Sequence, residues 1–266
     1  MKTLMIGGCA PDTVYRLDDP DAPYEIEFEA ATVKALSCLY PAYQCVVFTG
    51  GFEHEGRVSR PDLALVARNF SHWFVIEVEL VSHSLTGHVL PQVTAFRYGD
   101  PCSDCARILQ RELQIDSGRA KTLVSHVPRS VVVVANKRDP IWETALSALN
   151  VQLGVVSIYR TAGGAEAVEF DGSLEVLEQN LGFGLYLAVD RSLRLPTQVD
   201  LPDGAIQIFD PAGSIGTWNV SRDERFAWIT KERGTPSIQD GALVQIRRLY
   251  NGTISLKLPR FREDIR

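Results

Sequence analysis

The sequence lacks the hallmarks of several common protein classes. No apolar run approaches the roughly 20 residues that a membrane-spanning helix needs. There is no Gly-x-x-x-x-Gly-Lys-Ser/Thr segment, and no serine or cysteine stands in a recognisable nucleophile motif. Internal repeats and low-complexity segments are also missing. The sequence therefore gives no support for a membrane protein, a P-loop ATPase or a serine or cysteine hydrolase.

Cysteine is scarce. The chain has five cysteines, an odd number, and no secretory context accompanies them. Reduced thiols in a cytosol are then the expected state, and the apolar stretch at residues 4–6 is too short for the core of a signal peptide. Cys102 and Cys105 form a lone Cys-x-x-Cys, whereas a zinc site normally needs a second pair or suitably spaced histidines. We expect a cytoplasmic protein.

The charge is unevenly distributed along the chain. The total of −6 divides into +4 for residues 221–266, where ten Lys/Arg face six Asp/Glu, and −10 for residues 1–220. A basic C-terminal module on an acidic body would permit contact with a polyanion such as DNA. A solvated surface with a modest charge bias explains the same numbers.

The pattern along the chain changes near residue 180. Before it, helical and strand-like segments alternate, with strands predicted at 44–49, 62–67, 73–80, 130–135 and 155–159 after an irregular lead-in at 1–23. The strand–helix–strand unit at 130–159 predicts parallel pairing. Beyond residue 182, six short β-like runs predict a small barrel or sandwich, with Asn251-Gly252 as a hairpin turn. We therefore predict an α/β domain at 1–180 and an all-β domain at 181–266.

The first predicted helix, at residues 24–40, has a candidate buried face. Apolar residues recur there at helical spacing, and the face that we predict comprises Ile26, Ala30, Val33, Leu36 and Tyr40. Glu29 borders this face. It is either an acid held near a functional site or a capping glutamate at the helix edge.

Three acidic residues fall on two neighbouring predicted strands. Side chains alternate along a strand, so Glu77 and Glu79 share one face, and the apolar residues between and beside them share the other. Asp62 opens the preceding strand directly after Pro61. Three carboxylates at one edge of a sheet would suit a hard divalent cation. The arrangement suggests metal-dependent phosphodiester hydrolysis.

Residues 24–160 resemble the PD-(D/E)XK phosphodiesterase superfamily, which includes many restriction enzymes and recombination nucleases. The resemblance rests on Pro61-Asp62, on Glu77-Val78-Glu79 and on the order of the elements around them. It implies a restriction endonuclease-like mixed sheet flanked by helices. It also implies that Asp62 and Glu77 ligate Mg²⁺, for which Mn²⁺ would substitute, and that the backbone carbonyl of Val78 is a further ligand.

Two helices complete the resemblance. The helix after the third strand carries a Gln-x-x-x-Tyr-like element, with Gln92 in place, Phe96 at the tyrosine position and Tyr98 two residues further on. By resemblance Gln92 would position the site. The first helix would add a glutamate, for which Glu29 (or Glu25) is the match.

One residue departs from the superfamily pattern. Glu79 stands where the superfamily usually has a lysine, although some restriction endonucleases carry a glutamate there and stay active. A lysine would stabilise negative charge in the transition state. A glutamate could instead accept the proton of the attacking water or help to hold a second metal ion. Several acids in close proximity would repel one another, so the site should need a cation for stability.

Four of the five histidines lie around the acidic strands: His54, His72, His83 and His88. His83 and His88 follow Glu79 closely, and one of them could orient the scissile phosphate or carry a proton. Such residues are also common as surface or satisfied core histidines. Transition-metal binding by histidine and carboxylate stays open.

The C-terminal module mixes aromatic and basic residues. Its rings could stack on bases or form the core of the module; they are Trp218, Phe226, Trp228, Tyr250 and Phe261. The residues that we predict to contact phosphates are Arg247, Arg248, Arg260 and Arg262.

Taken together, these patterns predict a Mg²⁺-dependent DNA endonuclease. Asp62, Glu77, Glu79, Gln92 and Glu29 would form its catalytic site, and defence against foreign DNA or DNA repair would be a natural setting. A homodimer would suit double-strand cleavage. The alternative is a catalytically inactive nuclease fold that binds nucleic acid or serves as an interaction module.

Overall fold

The computed structural model describes residues 2–6, 14–20, 25–249 and 252–258. The chain forms two compact units, Met1–Ser125 with Arg129–Glu175 and His126–Pro128 with Val176–Arg266. We call them the sheet unit and the barrel unit. The chain passes into the barrel unit at residue 176 rather than at 181, because the first barrel strand already begins at Glu178.

The sheet unit combines strands with flanking helices. The strands up to residue 171 are β1 Lys2–Ile6, β2 Arg16–Leu17, β3 Tyr43–Val47, β4 Phe52–His54, β5 Arg57–Ser59, β6 Leu63–Ala67, β7 Trp73–Glu79, β8 Asp100–Pro101, β9 Arg129–Ala135, β10 Gln152–Arg160 and β11 Glu166–Asp171. The helices are α1 Glu25–Leu39, α2 Leu90–Tyr98, α3 Asp104–Leu113, α4 Ser117–His126 and α5 Pro140–Ala148. A π-helical turn, Leu85–Val89, leads directly into α2.

The main sheet has the order β1-β11-β10-β9-β7-β6-β3, with β2 beside β10. Strands β3, β6 and β7 form an antiparallel meander, and β7, β9 and β10 run parallel. The mixed α/β class and the parallel pairing of β9 with β10 across α5 are thus confirmed. Both faces of the central strands are covered, which is why β9, with its four valines, reads as one continuous apolar run.

Helix α1 packs on a different face from the one predicted. Its buried residues follow the i, i+3, i+4, i+7, i+8 spacing of an amphipathic helix; they are Phe28, Ala31, Thr32, Ala35 and Leu36. Leu36 alone belongs to both faces, and Ile26 is 80% exposed. We attribute the burial of this face to the bulk of Phe28 and to the two alanines, which permit close packing. The half-buried Glu29 still borders the buried side.

Several elements carry no clear sequence signal. The predicted irregular lead-in is wrong for residues 2–6, which form the edge strand β1 against β11. A small second sheet, β5-β4-β8, and strand β11 were also missed. These strands are short or lie at edges, where the neighbouring strand, rather than intrinsic preference, decides the conformation.

The barrel unit confirms the prediction of a small all-β module and selects the barrel over the sandwich. Its seven strands close in the order β12-β13-β16-β15-β14-β18-β17. They are β12 Glu178–Leu187, β13 Ser192–Pro196, β14 Gly204–Phe209, β15 Ile215–Arg222, β16 Phe226–Lys231, β17 Leu243–Leu249 and β18 Ile254–Lys257. Alternate side chains fill the interior, as Leu193 and Leu195 do on β13, a strand that the sequence analysis missed.

None of the helices in the described part of the chain combines the length and the apolar character needed to cross a membrane.

Candidate metal centre

Asp62 is fixed at the point where β6 begins. Its backbone N–H donates to the carbonyl of Ile76 at 3.2 Å, and its carbonyl accepts the N–H of Phe48 at 2.8 Å. The antiparallel register pairs Leu63 with Ile76, so Asp62 lies beside Glu77 on the adjacent strand. Side chains at such cross-strand positions are close neighbours. The sheet thereby brings together two acids that are 15 residues apart in sequence.

The carboxylate of Asp62 also contacts the backbone of β7. Its Oδ2 accepts the N–H of Val78 at 2.8 Å. The N–H and C=O of one strand residue point to the same strand edge, so the carbonyl of Val78 faces Asp62 as well. The predicted carbonyl ligand is thus directed towards the predicted carboxylate ligand.

Glu77 is the most deeply buried acid that lacks an ion pair. It is 3% exposed, and its Oε2 has no hydrogen-bond partner. Burial raises the pKa of Glu77 well above its usual range, and the charges of Asp62, Glu79 and Glu25 raise it further. No lysine or arginine within the described ranges pairs with Glu77 or Asp62. A carboxylate in this position needs either a proton or a cation.

Gln92 reaches this acid from α2. Hydrogen bonding to Gln92 partly lowers the pKa of Glu77. The Oε1 atom of Gln92 is itself buried without a partner. One turn later, Phe96 is fully buried, with its ring 5.8 Å from that of Phe52, whereas Tyr98 is 56% exposed. The tyrosine position of the predicted element therefore serves the core.

Helix α1 adds negative charge at the same place. Burial raises the pKa of Asp62 to about 6; the charges of Glu29, Glu25 and Glu79 raise it, and the hydrogen bond from Val78 lowers it. Glu25 and Glu29 are one helical turn apart and share a side of α1. The predicted residues Asp62, Glu77, Gln92 and Glu29 are thus near neighbours, and together with Glu25 the acids create a region of negative potential.

Glu79 is also buried, at 2% exposure, but its oxygens are engaged. Its Oε1 accepts the N–H of Leu80 at 3.2 Å and is hydrogen-bonded to Nδ1 of His83. Its Oε2 lies 3.3 Å from Nε2 of His88. Glu79, His83 and His88 are also the group in the described chain that could hold a metal ion through one atom each. Glu77 and Glu79 share a strand but have different partners.

The two histidines reach Glu79 through local structure that the sequence analysis missed. A tight turn, closed by His83 N–H to Leu80 C=O at 2.9 Å, returns His83 to the end of β7. The π-helical turn then presents His88. Turns of this type occur frequently at functional sites, but single sequences rarely reveal them.

The other histidines lie elsewhere. His72 precedes β7, at the opposite end from Glu79, and bonds to Tyr43 Oη at 2.6 Å and Ser71 Oγ at 2.9 Å. The ring of His54 lies 6.4 Å from that of Tyr98. Neither belongs to the group around Glu79.

Cys102 and Cys105 do not form a metal group in the described structure. The thiol of Cys105 is buried and donates to the carbonyl of Gly51 at 3.0 Å. Burial raises the pKa of Cys105 to about 12. This thiol packs at the start of α3 and is not set up for metal binding or nucleophilic attack.

The two described arginines among the predicted phosphate contacts have acidic partners. Arg247 pairs with Glu178 at 2.5 Å, and Arg248 pairs with Asp200 at 2.7 Å. A phosphate would have to compete with these carboxylates. Arg260 and Arg262 lie outside the described residues.

The barrel aromatics divide into core and surface. Trp218 is fully buried in the barrel interior. Phe226 and Trp228 alternate with the interior residues Ala227 and Ile229, so they face outwards and are half-buried. Their rings are 6.0 Å apart, and the guanidinium of Arg194 lies 4.9 Å from the centroid of Phe226. Tyr250 and Phe261 lie outside the described residues.

Comparison with known proteins identifies no relative of this chain. No protein-family model matches the chain, and searches of curated proteins and of solved structures find no match. The chemistry proposed for the site therefore rests on the residues of this chain alone.

Proposed function

We propose that the protein is a metal-dependent phosphodiesterase that cleaves DNA, with a divalent cation held by Asp62 and Glu77. One observation carries the proposal. A carboxylate that is 97% buried, as Glu77 is, keeps an oxygen without a partner, next to a second carboxylate and with no basic residue of the described chain to balance it. Such an arrangement is costly unless a proton or a cation balances the charge, and two adjacent carboxylates beside a backbone carbonyl favour a cation.

The donor set fits a hard cation. The carboxylates of Asp62 and Glu77 and the carbonyl of Val78 are oxygen ligands, which suit Mg²⁺ or Mn²⁺. Bound there, the cation would activate a water molecule and polarise a phosphate oxygen. Gln92 lies beside Glu77 and lowers its pKa, and the acids of α1 hold the site at negative potential.

The order of elements supports the same assignment. A helix, an antiparallel three-strand meander, a second helix and a parallel strand occur in the order α1, β3-β6-β7, α2 and β9, with β4 and β5 inserted into the meander and β8, α3 and α4 inserted before β9. This succession is the one expected of the restriction endonuclease-like fold that the sequence resembles. Asp62 directly precedes the second strand of the meander and Glu77 lies on the third, where the resemblance predicts the metal ligands.

The outer surface of the barrel suggests how DNA would be held. Phe226 and Trp228 are half-buried on the outer surface, and Arg194 lies over the ring of Phe226. Aromatic rings next to a cation bind unpaired bases by stacking, without strong sequence preference. This pair is a better candidate for nucleic-acid contact than Arg247 and Arg248, whose charges already have partners.

The test is cleavage of supercoiled plasmid by the full chain in Mg²⁺, in Mn²⁺ and in chelator. We expect nicking that requires the cation and that falls in Glu77→Gln to the level of the chelated wild type. Glu112→Gln, which changes a surface glutamate paired with Arg111, should cut like the wild type.

Undiminished cleavage by folded Glu77→Gln would refute the assignment of the site. A wild type that binds DNA equally well with and without cation, and never cuts it, would instead establish the inactive, DNA-binding alternative.

A further inference from the structure

His83 and His88 converge on a single buried carboxylate at the end of β7. Nδ1 of His83 contacts Oε1 of Glu79, and Nε2 of His88 lies 3.3 Å from Oε2. One ligand atom from each of the three residues lies within 4.8 Å of the other two. The two imidazole rings are perpendicular, with centroids 6.0 Å apart. Two ring nitrogens and one carboxylate oxygen thus lie close enough together to share one ion.

One of the separations matches what a small tetrahedral ion requires. Zinc–ligand bonds of about 2.0–2.1 Å set neighbouring ligand atoms roughly 3.3 Å apart. The separation of His88 Nε2 from Glu79 Oε2 already has that value. His83 would have to withdraw slightly from its direct hydrogen bond to admit an ion.

The segment that carries the histidines is anchored at its start and capped internally. The N–H of Val81 donates to Oδ1 of Asn136 at 2.8 Å, which ties the start of the segment to the residue after β9. Oγ of Ser84 accepts the N–H of Gly87 at 3.1 Å and caps the π-helical turn. Ligands held on a fixed backbone lose little freedom on binding.

We propose that Glu79, His83 and His88 form a binding site for a borderline transition-metal ion, of which Zn²⁺ is the representative. Imidazole nitrogens favour zinc and its neighbours over magnesium, whereas the oxygen ligands at Asp62 and Glu77 favour the reverse. The side chains of His83 and His88 are 40% and 55% exposed, so the ion is reachable from solvent. Three protein ligands leave a coordination position open for water or substrate.

This site is separate from the one in the proposed function and holds whether or not the protein cleaves DNA. Glu79 lies two residues beyond Glu77, yet its oxygens contact the histidines, whereas Oε2 of Glu77 has no hydrogen-bond partner. The two groups share no ligand. Because the charge of Glu79 acts on both Asp62 and Glu77, the metal preference of each group is measured with the other group disabled.

The test uses Co²⁺ as a spectroscopic substitute for Zn²⁺, titrated into the full chain carrying Asp62→Asn to disable the oxygen site. We expect visible absorption of nitrogen-ligated Co²⁺ at one equivalent, abolished by one equivalent of Zn²⁺. His83→Gln and His88→Gln in the same background should each weaken binding at least about tenfold. Both histidines are partly exposed, so the variants should fold, and His54→Gln is the matched control.

Absence of Co²⁺ or Zn²⁺ binding in the folded protein would overturn the proposal. Equal weakening by His54→Gln would overturn it too, because it would place the ion elsewhere. Zinc binding that persists after loss of Mg²⁺-dependent cleavage, or in a protein that never cleaves, would support this site without supporting the proposed function.

Discussion

The carboxylate of Asp62 accepts the backbone N–H of Val78 at 2.8 Å, so one predicted metal ligand is bonded to the residue whose carbonyl is another. The bond fixes Asp62 beside Glu77 without neutralising either acid. Part of the architecture of the site is therefore built by the same oxygens that would bind the cation.

Because Asp62 has both roles, we expect two substitutions of this residue to differ in their effect on stability. Asp62→Asn keeps an oxygen that can accept the Val78 N–H and removes a charge that Glu77 repels, so stability in chelator should stay level or rise. Asp62→Ala leaves a backbone donor unsatisfied, and we expect it to be less stable than Asp62→Asn by about 1–3 kcal/mol. Both should lose stabilisation by Mg²⁺.

Urea unfolding in chelator and in Mg²⁺ measures these differences. Equal stability of the two variants in chelator would show that the bond to Val78 contributes nothing. Stabilisation of either variant by Mg²⁺ to the wild-type extent would remove Asp62 from the set of ligands.

Much of this arrangement can be predicted from sequence, because strand periodicity is local. Glu77 and Glu79 share a face simply because they are two residues apart. Asp62 stands directly after Pro61, at the start of a short apolar run. The sequence therefore also predicts that Asp62 lies at one edge of the sheet. The face of α1 was predicted wrongly because two apolar stripes compete on that helix, and the packing of Phe28 decides between them.

The contacts of the histidine group cannot be predicted from strand and helix periodicity. The sequence places His83 and His88 close to Glu79, but proximity does not say which atoms meet. A tight turn and a π-helical turn make the contact, and both depend on tertiary bonds such as Val81 to Asn136. The same limit applies to Arg247 and Arg248, whose acidic partners, Glu178 and Asp200, are 69 and 48 residues away.

A second prediction concerns acid stability and His72. Burial against Tyr43 and Ser71 lowers the pKa of His72 from 6.5 to about 4. Between these values the unfolded chain takes up a proton that the folded chain does not, so the free energy of unfolding falls as the pH falls. The loss should be complete near pH 4 and amount to roughly 2–3 kcal/mol from this residue.

Urea unfolding at several pH values tests this, with His72→Gln as the variant that cannot titrate. Its stability should change less than that of the wild type over the same window, whereas His54→Gln should follow the wild type. Parallel curves for wild type and His72→Gln would contradict the prediction.

A third prediction concerns the support of α2, the helix that carries Gln92. Arg129 donates to the carbonyls of Phe96 at 2.7 Å and Gly99 at 2.5 Å, and it stacks 4.7 Å from the ring centroid of Phe52. Burial lowers the pKa of Arg129 to about 10. A lysine cannot reproduce both bonds and the stacking together.

Arg129→Lys should therefore lose about 2–4 kcal/mol of stability by thermal or urea unfolding. The matched control is Arg119→Lys, an exposed arginine that also lies over an aromatic ring, that of Phe70. It should change stability by less than about 0.5 kcal/mol. Similar losses in both variants would show that burial of Arg129 does not matter.

The last prediction tests the outer face of the barrel. Trp228 is held by a bond from Nε1 to Oδ2 of Asp223 at 2.7 Å and packs edge-to-face on Phe226. A ring fixed in this way offers a stacking surface at little entropic cost. Trp228→Ala should weaken the binding of single-stranded DNA by about 1–3 kcal/mol, or roughly 5- to 150-fold.

Fluorescence anisotropy with a labelled oligonucleotide, in chelator to prevent cleavage, measures the change. Ile215→Ala removes an apolar side chain of the barrel that is 60% exposed and should leave affinity unaltered. If Trp228→Ala binds as tightly as Ile215→Ala, base stacking on this face is excluded, and DNA must be held by other residues.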